Sequence, residues 1–267
     1  MPRGRVLLTL VGVPLLLYGV AVGAVYLRQE SLLFFPTPLA AEYRFRQSGV
    51  EERFVEVDGA RLHALHFRQP GAKGVVFFLH GNAGNNDSWL TDTSFYRRTG
   101  YDLFLLDYRG YGKSTGRISS EAQLHADVMA AWQSIAPEYA GRRKIVYGRS
   151  LGTGPATRLA AQVDADLLVL VSPYSSVREL AAEHFAWVPG ALLRYPLPTR
   201  EWLPAVKMPV LLIHGEQDEI VPVTHAARLH ALRPDAELLL LPGVHHNDVH
   251  LAPRYIERLE ERLAALR

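Results

Sequence analysis

Three residues whose side chains could together cleave an acyl bond each follow a short apolar run of the sequence. Ser150 lies in "GRSLG", Asp218 in "HGEQDEIVP" and His246 in "GVHHNDVH". A serine hydroxyl is a weak nucleophile until a histidine accepts its proton, and a carboxylate orients and stabilises that histidine. These residue types in this order predict nucleophilic catalysis, although a Gly-x-Ser-x-Gly pentapeptide alone also arises by chance.

Neighbouring residues offer alternatives for two of these roles. His245 adjoins His246, and Glu216 or Glu219 could replace Asp218 if the loop were shifted. A metal site could also be formed by a group of side chains near the C-terminus: His245, His246, Asp248 and His250. The sequence has no second cluster of ligands to complete such a site. No phosphate-binding or dinucleotide-binding glycine motif is present, so the sequence implies neither a metal nor a cofactor.

The elements that would position these residues alternate between strand-like and helix-like patterns. Residues 52–69 predict an antiparallel hairpin with its turn at Asp58-Gly59. Later runs are apolar throughout, as parallel strands buried on both faces are. These runs are 74–81, 101–108, 143–150, 166–173, 209–215 and 236–243. One helical pattern, at 119–135, places Leu124, Val128, Trp132 and Ile135 on a single face. This order predicts a doubly wound α/β sheet with its site at the carboxyl ends of the strands.

Further motifs at the strand ends complete a family pattern. They are "HGNAGN" at 80–85, "DYRGYGKS" at 107–114, "GRSLG" at 148–152 and "HND" at 246–248, behind an apolar N-terminus and "LLFFP". From about Arg53 onward the chain resembles the α/β-hydrolase-fold serine hydrolases, in particular the membrane-anchored branch with serine-aminopeptidase-like proteins and protein depalmitoylases. The resemblance implies a mostly parallel sheet of about eight strands, with helices on both faces and a small lid. It also implies that His246, directly before Asn-Asp, is the base, and that Asp218 is the acid.

The same resemblance implies an oxyanion hole made of backbone N–H groups. The donors would be Leu151, directly after the nucleophile, and Asn82, with Ala83 as the alternative to Asn82. Ser150 should hold a strained backbone conformation between strand and helix, with glycines wherever a Cβ atom would collide. We expect His80 to support this loop rather than to react.

The N-terminus carries a segment that is long and apolar enough to cross a membrane. Arg3 and Arg5 precede Val6–Leu27, a run of 22 residues without a charge. At about 1.5 Å per residue such a helix spans the ~30 Å hydrocarbon core of a bilayer. A cleaved signal peptide is the competing interpretation, because Val22-Gly23-Ala24 suits a signal peptidase, but the run exceeds the usual apolar length. The basic flank favours a single-pass protein with a cytoplasmic N-terminus and a periplasmic or extracytoplasmic catalytic domain.

The predicted organisation has three parts. Residues 1–28 form a membrane anchor, 29–50 a juxtamembrane linker and 51–267 the α/β-hydrolase domain, with a lid insert at about 174–203. The stretch 32–35 either rests on the bilayer interface or fills the core of the domain. The lid has apolar side chains that suggest an acyl pocket but could equally pack on the core. They are Phe185, Trp187, Leu192, Leu193 and Tyr195.

Composition is that of an ordinary globular protein with one catalytic unit. The chain has 267 residues, of which 48% are hydrophobic, and a formal net charge of +2. This balance gives no electrostatic case for nucleic acid, and the absence of cysteine excludes disulfides and a thiol nucleophile. We predict a membrane-bound serine hydrolase that cleaves carboxylic ester or thioester bonds of acyl or lipid substrates. The alternatives are a serine peptidase or amidase, and a non-catalytic membrane-tethered binding protein.

Overall fold

Eight strands form one mixed sheet at the centre of the fold, in a computed structural model that describes residues 2–90 and 92–266. They are β1 (Val50–Val57), β2 (Ala60–Phe67), β3 (Gly74–Leu79), β4 (Tyr101–Leu106), β5 (Arg143–Arg149), β6 (Leu167–Val171), β7 (Val210–Gly215) and β8 (Glu237–Leu241). Their order is β1-β2-β4-β3-β5-β6-β7-β8, and β2 runs antiparallel to both of its neighbours. The other pairings are parallel. The predicted hairpin is β1-β2, and each predicted apolar run contains a strand.

The parallel strands end at one edge of the sheet. Leu79, the last residue of β3, lies beside Leu106 of β4 on one side and Gly148 of β5 on the other. Val171 at the end of β6 lies beside Arg149 of β5. The loops after these strands therefore leave the same edge, which is where sites of such sheets lie.

The described residues also form α-helices, and all but the N-terminal one cover the two faces of this sheet. They are α1 (Pro2–Leu27), α2 (Gln29–Leu33), α3 (Asn86–Trp89), α4 (Ser94–Thr99), α5 (Glu121–Ile135), α6 (Thr153–Ala160), α7 (Val177–His184), α8 (Thr199–Trp202), α9 (Thr224–Leu232) and α10 (Pro253–Ala265). Successive strand residues point to opposite faces, so Phe77 packs on Trp132 of α5 while Phe78 stacks on Tyr147 in a second core cluster. The predicted buried face of α5 is confirmed.

Among the described residues, α1 is the helix long and apolar enough to span a membrane. Its segment Leu10–Leu27 has a mean hydropathy of 2.1 and is 0% buried against the rest of the chain. A signal sequence would meet the same criteria. Of residues 2–9 the structure describes the backbone alone, so the predicted basic flank at Arg3 and Arg5 lies outside the described side chains.

The chain after α1 packs unevenly onto the rest of the protein. Phe34 is buried and packs edge-on against Tyr195, whereas Leu32 and Phe35 are exposed. Phe35–Pro36 then pairs in parallel with Ala83–Gly84, the segment that follows β3 and Asn82. Phe34 of this stretch thus fills the core, and contact of Leu32 and Phe35 with a bilayer stays a prediction.

Candidate active site

Ser150 lies at a sharp turn between β5 and a helical segment. Its φ of +50° is the left-handed conformation that side chains rarely adopt, and a short 3₁₀ turn at Ser150–Gly152 leads directly into α6. A Cβ atom on Gly152 would lie 2.1 Å from the Leu79 carbonyl oxygen, and one on Gly148 would lie 2.7 Å from the Cβ of Ala156. The sheet and helix approach so closely here that only glycine fits.

The structure brings the three residues expected to do the chemistry into one hydrogen-bonded chain. His246 Nε2 lies 3.0 Å from Ser150 Oγ, and His246 Nδ1 lies 2.7 Å from Asp218 Oδ2. All three residues are buried, with 6–8% of each exposed. With Nδ1–H donated to the carboxylate, the free Nε2 can accept the serine proton.

The surroundings of Asp218 stabilise its ionised form. Its Oδ1 accepts the backbone N–H groups of Ile220 at 3.0 Å and Val221 at 2.8 Å, and His214 Nε2 lies 3.3 Å from its Oδ2. Burial alone would raise the pKa of this carboxyl, but the nearby His214 imidazole, and then the hydrogen bonds from His246 and the Val221 amide, outweigh it and hold the pKa well below its usual range. A carboxylate held in this way stabilises a positively charged imidazole beside it.

The alternative residues face elsewhere. His245 Nδ1 lies 3.2 Å from Glu219 Oε2, with about half of each side chain exposed: 52% and 56%. Glu216 is also exposed. Among the residues that the structure describes, no group of three or more histidine, cysteine or acidic side chains is arranged to hold a metal ion.

The loop expected to supply an oxyanion donor lies directly against the serine. A Cβ atom on Gly81 would lie 3.6 Å from Ser150 Cβ. His80 Nδ1 donates to the Gly81 carbonyl at 2.7 Å, and because a trans peptide points its C=O and N–H in opposite directions, this bond orients the N–H of Asn82. His80 supports the loop in the manner expected from the sequence.

The next peptide of this loop is held from two other parts of the chain. The Asn82 carbonyl accepts the backbone N–H of Phe35 at 2.8 Å and the hydroxyl of Tyr111 at 2.7 Å. These two bonds orient the N–H of Ala83. Nothing local in "HGNAGN" indicates that residues from the segment 29–50 and from "DYRGYGKS" hold this peptide.

Arg149 also has a role in the site that was not predicted from the sequence. Its Nη2 donates to the carbonyl oxygen of His246 at 2.8 Å, and its guanidinium lies 5.8 Å from the ring centre of Trp89. Trp89 Nε1 in turn donates to the Ala83 carbonyl at 2.8 Å. One buried side chain thus connects the loops of the serine, the histidine and the expected oxyanion donor. Its place inside "GRSLG" was the available signal.

Curated relatives are similar in sequence to most of this chain. Alpha/beta hydrolase domain-containing protein 17B of Homo sapiens is 33% identical over 234 residues, which are 82% of this chain and 77% of that protein. The chain belongs to the α/β-hydrolase family. An uncharacterized protein of Mycobacterium tuberculosis is 34% identical over 85% of this chain and 83% of its own length. The Caenorhabditis elegans protein aho-3 is 37% identical over 71% of this chain, but this match spans only 57% of aho-3.

A family model described as serine aminopeptidase, S33, matches residues 70–201 of this α/β-hydrolase. The match includes Ser150 and Asn82 and ends before Asp218. Solved structures show the same fold: a Pyrococcus furiosus esterase has a TM-score of 0.69 at 20% identity, covering 88% of this chain and 98% of the esterase. A membrane phospholipase A has a TM-score of 0.63 at 18% identity and covers 100% of this chain and 99% of its own. The predicted fold class is confirmed.

Proposed function

We propose that this hydrolase cleaves carboxylic ester or thioester bonds through an acyl-enzyme formed on Ser150. The observation that carries the proposal is the buried chain Ser150–His246–Asp218, with contacts of 3.0 and 2.7 Å, at a serine whose φ is +50°. A serine held in that conformation presents its hydroxyl above the sheet edge, and membership of the α/β-hydrolase family makes hydrolysis the reaction.

The geometry supports the following sequence of steps. Ser150 Oγ attacks the acyl carbonyl carbon while its proton passes to His246 Nε2, and the oxyanion that forms accepts N–H groups of Leu151 and Asn82. Collapse breaks the bond to the leaving oxygen or sulfur, which takes the proton from His246. Water then loses a proton to His246 and attacks the acyl-serine, which releases the acid and restores the hydroxyl.

Asn82 is the better-supported second donor because its N–H belongs to the peptide attached to Gly81, where a Cβ atom would lie 3.6 Å from Ser150 Cβ. Leu151 lies in the first turn of a helical run, where N–H groups have no acceptor within the helix. The positive end of that run also favours the developing anion.

An apolar acyl group is the substrate feature that the lid favours. The segment "FAWVPGALL" at 185–193 contains no charged side chain that could bind a substrate amine or a peptide carboxylate. Resemblance to protein depalmitoylases adds thioesters to the ester candidates. A serine peptidase or amidase is the second candidate, because the matched family model is described as a serine aminopeptidase.

We further propose that α1 anchors the protein in a membrane. The anchor would end near residue 28, and the segment 29–50 would connect it to a catalytic domain on the periplasmic or extracytoplasmic side. The exposed apolar surface of Leu10–Leu27 supports this placement, since water would solvate it poorly.

The test of the chemistry is labelling of the full chain in detergent by a fluorophosphonate probe, with Ser150→Ala as the matched control. We expect labelling of the wild type only, and release of p-nitrophenol from its acyl esters. An unlabelled, correctly folded wild type would make the protein a binding protein. Cleavage of aminoacyl anilides but not of esters or acyl thioesters would establish the peptidase instead. Extraction of the full chain from membranes by alkaline carbonate would contradict the anchor.

A further inference from the structure

The middle of the lid is an apolar segment whose large side chains are exposed. This segment, Phe185–Leu193, is the lid tip, and it contains no charged side chain. Phe185 is 56% exposed, Trp187 46% and Leu192 38%. These side chains are too exposed to belong to the core, whereas Tyr195 after the tip is buried. An exposed run of this kind marks a surface that is covered in the working protein.

The position of the lid tip beside α1 indicates what covers it. Tyr18 donates its hydroxyl to the carbonyl of Trp187 at 3.0 Å. Tyr18 lies in the middle of the span Leu10–Leu27, about 13 Å along the helix from Leu27. A segment within hydroxyl reach of that point lies at the depth of the acyl chains rather than of the headgroups.

Part of the backbone of the lid tip has partners within the protein, which lowers the cost of its contact with hydrocarbon. Val188 N–H donates to the Phe185 carbonyl, Leu192 N–H to that of Pro189 and Leu193 N–H to that of Gly190, at 2.9 to 3.3 Å. The Leu192 carbonyl accepts Gln29 Nε2 at 2.8 Å. With the bond from Tyr18 to Trp187, these contacts hold the turn against α1 and leave its large apolar side chains exposed.

The lid is also tied to the end of α1 on its polar side. Buried Gln29 accepts the backbone N–H of Arg194 at 2.8 Å, and Glu30 forms an ion pair with the Arg194 side chain. The hydroxyl of Tyr195 donates to Glu30 at 2.7 Å. These polar contacts lie just after the apolar span of α1. In a membrane they would therefore lie at the level of the headgroups, with the lid tip deeper, among the acyl chains.

Exposed apolar side chains also lie beside the catalytic chain. Ile220, 44% exposed, lies two residues after Asp218 and donates its N–H to the Asp218 carboxylate at 3.0 Å. His184, directly before the tip, lies 3.2 Å from the Ile220 carbonyl. Phe35, 47% exposed, donates its N–H to the Asn82 carbonyl at 2.8 Å. Through His184 the lid tip therefore adjoins the loop that carries Asp218.

We propose that the lid tip inserts into the leaflet next to the catalytic domain, so that the site takes its acyl substrate from the bilayer rather than from water. The covering partner is the lipid acyl-chain layer. This inference rests on the proposed membrane anchor, and it adds to that proposal the substrate class, a membrane-embedded acyl lipid or lipidated molecule, and its route of entry.

The chain has no cysteine, so one introduced thiol labels one site. Ala186→Cys carries an environment-sensitive fluorophore at the lid tip, and Ala264→Cys carries it on exposed α10, whose buried side belongs to the other core cluster. Both full-length proteins are reconstituted in phosphatidylcholine vesicles that contain lipids with a nitroxide in the acyl chain or on the headgroup. We expect acyl-chain quenching to be stronger than headgroup quenching at position 186, with neither at position 264.

Headgroup quenching alone at position 186, or no quenching, would overturn the insertion. Self-quenching between labelled chains without lipid quenching would also overturn it, since a second copy would then cover the tip. Fluorophosphonate labelling of Ser150 and resistance to carbonate extraction are measured on the same samples. If both hold while position 186 remains unquenched, the insertion fails and the proposed function stands. If extraction releases the chain, the anchor and the insertion fail together.

A second measurement uses activity. The double variant Phe185→Ser, Trp187→Ser should lower hydrolysis of a long-chain ester held in vesicles, relative to hydrolysis of a soluble short-chain ester, by about tenfold. An unchanged ratio would overturn the route of entry.

Discussion

Replacing Phe34 by alanine should destabilise the catalytic domain far more than replacing its neighbour Leu32. Phe34 is 5% exposed and packs edge-on against Tyr195 with ring centres 5.2 Å apart, whereas Leu32 is 57% exposed. Truncating a buried phenylalanine typically costs about 3 to 5 kcal/mol, and an exposed leucine about 0.5 kcal/mol or less. For a domain of this size, 3 to 5 kcal/mol corresponds to a fall of roughly 6 to 20 °C in the unfolding midpoint.

The assay is thermal unfolding of the full chain in detergent, followed by circular dichroism, for the wild type, Phe34→Ala and Leu32→Ala. Ester hydrolysis well below the midpoint is measured alongside, because Phe35 N–H, the next donor along the chain, holds the Asn82 carbonyl in the loop expected to supply an oxyanion donor. We expect Phe34→Ala to lower both the midpoint and kcat. Equal midpoints for the two variants would refute the reasoning, since the juxtamembrane stretch would then be a linker outside the domain.

Three further outcomes are expected. His246→Ala should lower kcat by roughly 10⁴-fold or more, while His245→Ala should leave it nearly unchanged. Comparable losses in the two variants would contradict the assignment of His246 as the base. Arg149→Met should lower kcat/KM about 10- to 100-fold through loss of a charge-assisted bond to the His246 carbonyl, with partial rescue in Arg149→Lys, and full activity of the methionine variant would exclude a positioning role. Burial, and then the charge of Arg68, lowers the pKa of His66 to about 4 in the folded protein. As the pH falls, the His66 imidazole therefore becomes protonated in the unfolded chain before it does so in the folded protein. The free energy of unfolding should fall by about 3 kcal/mol between pH 6.5 and 4. His66→Gln should flatten that part of a urea-unfolding profile, and an unaltered profile would show that other groups cause it.

Much of the site was predictable because its physics is local. The apolar runs identify the strands, and polar residues directly after them must lie at the carboxyl edge of a parallel sheet. The glycines of "GRSLG" indicate a turn with no room for Cβ atoms, and the φ of Ser150 and the close approach at Gly152 agree with it. None of these inferences requires knowledge of a distant segment.

Only the tertiary structure decided which segments far apart in the chain contact one another. Sequence alone left His245 and His246 one residue apart without a local difference, and the folded loop turns one toward Glu219 and the other toward Ser150. The Asn82 carbonyl is held by Phe35, and the His246 carbonyl by Arg149. Periodicity reports which face of an element is buried. It carries no information on which distant backbone group completes a hydrogen bond, because that depends on how the loops meet after the sheet has formed.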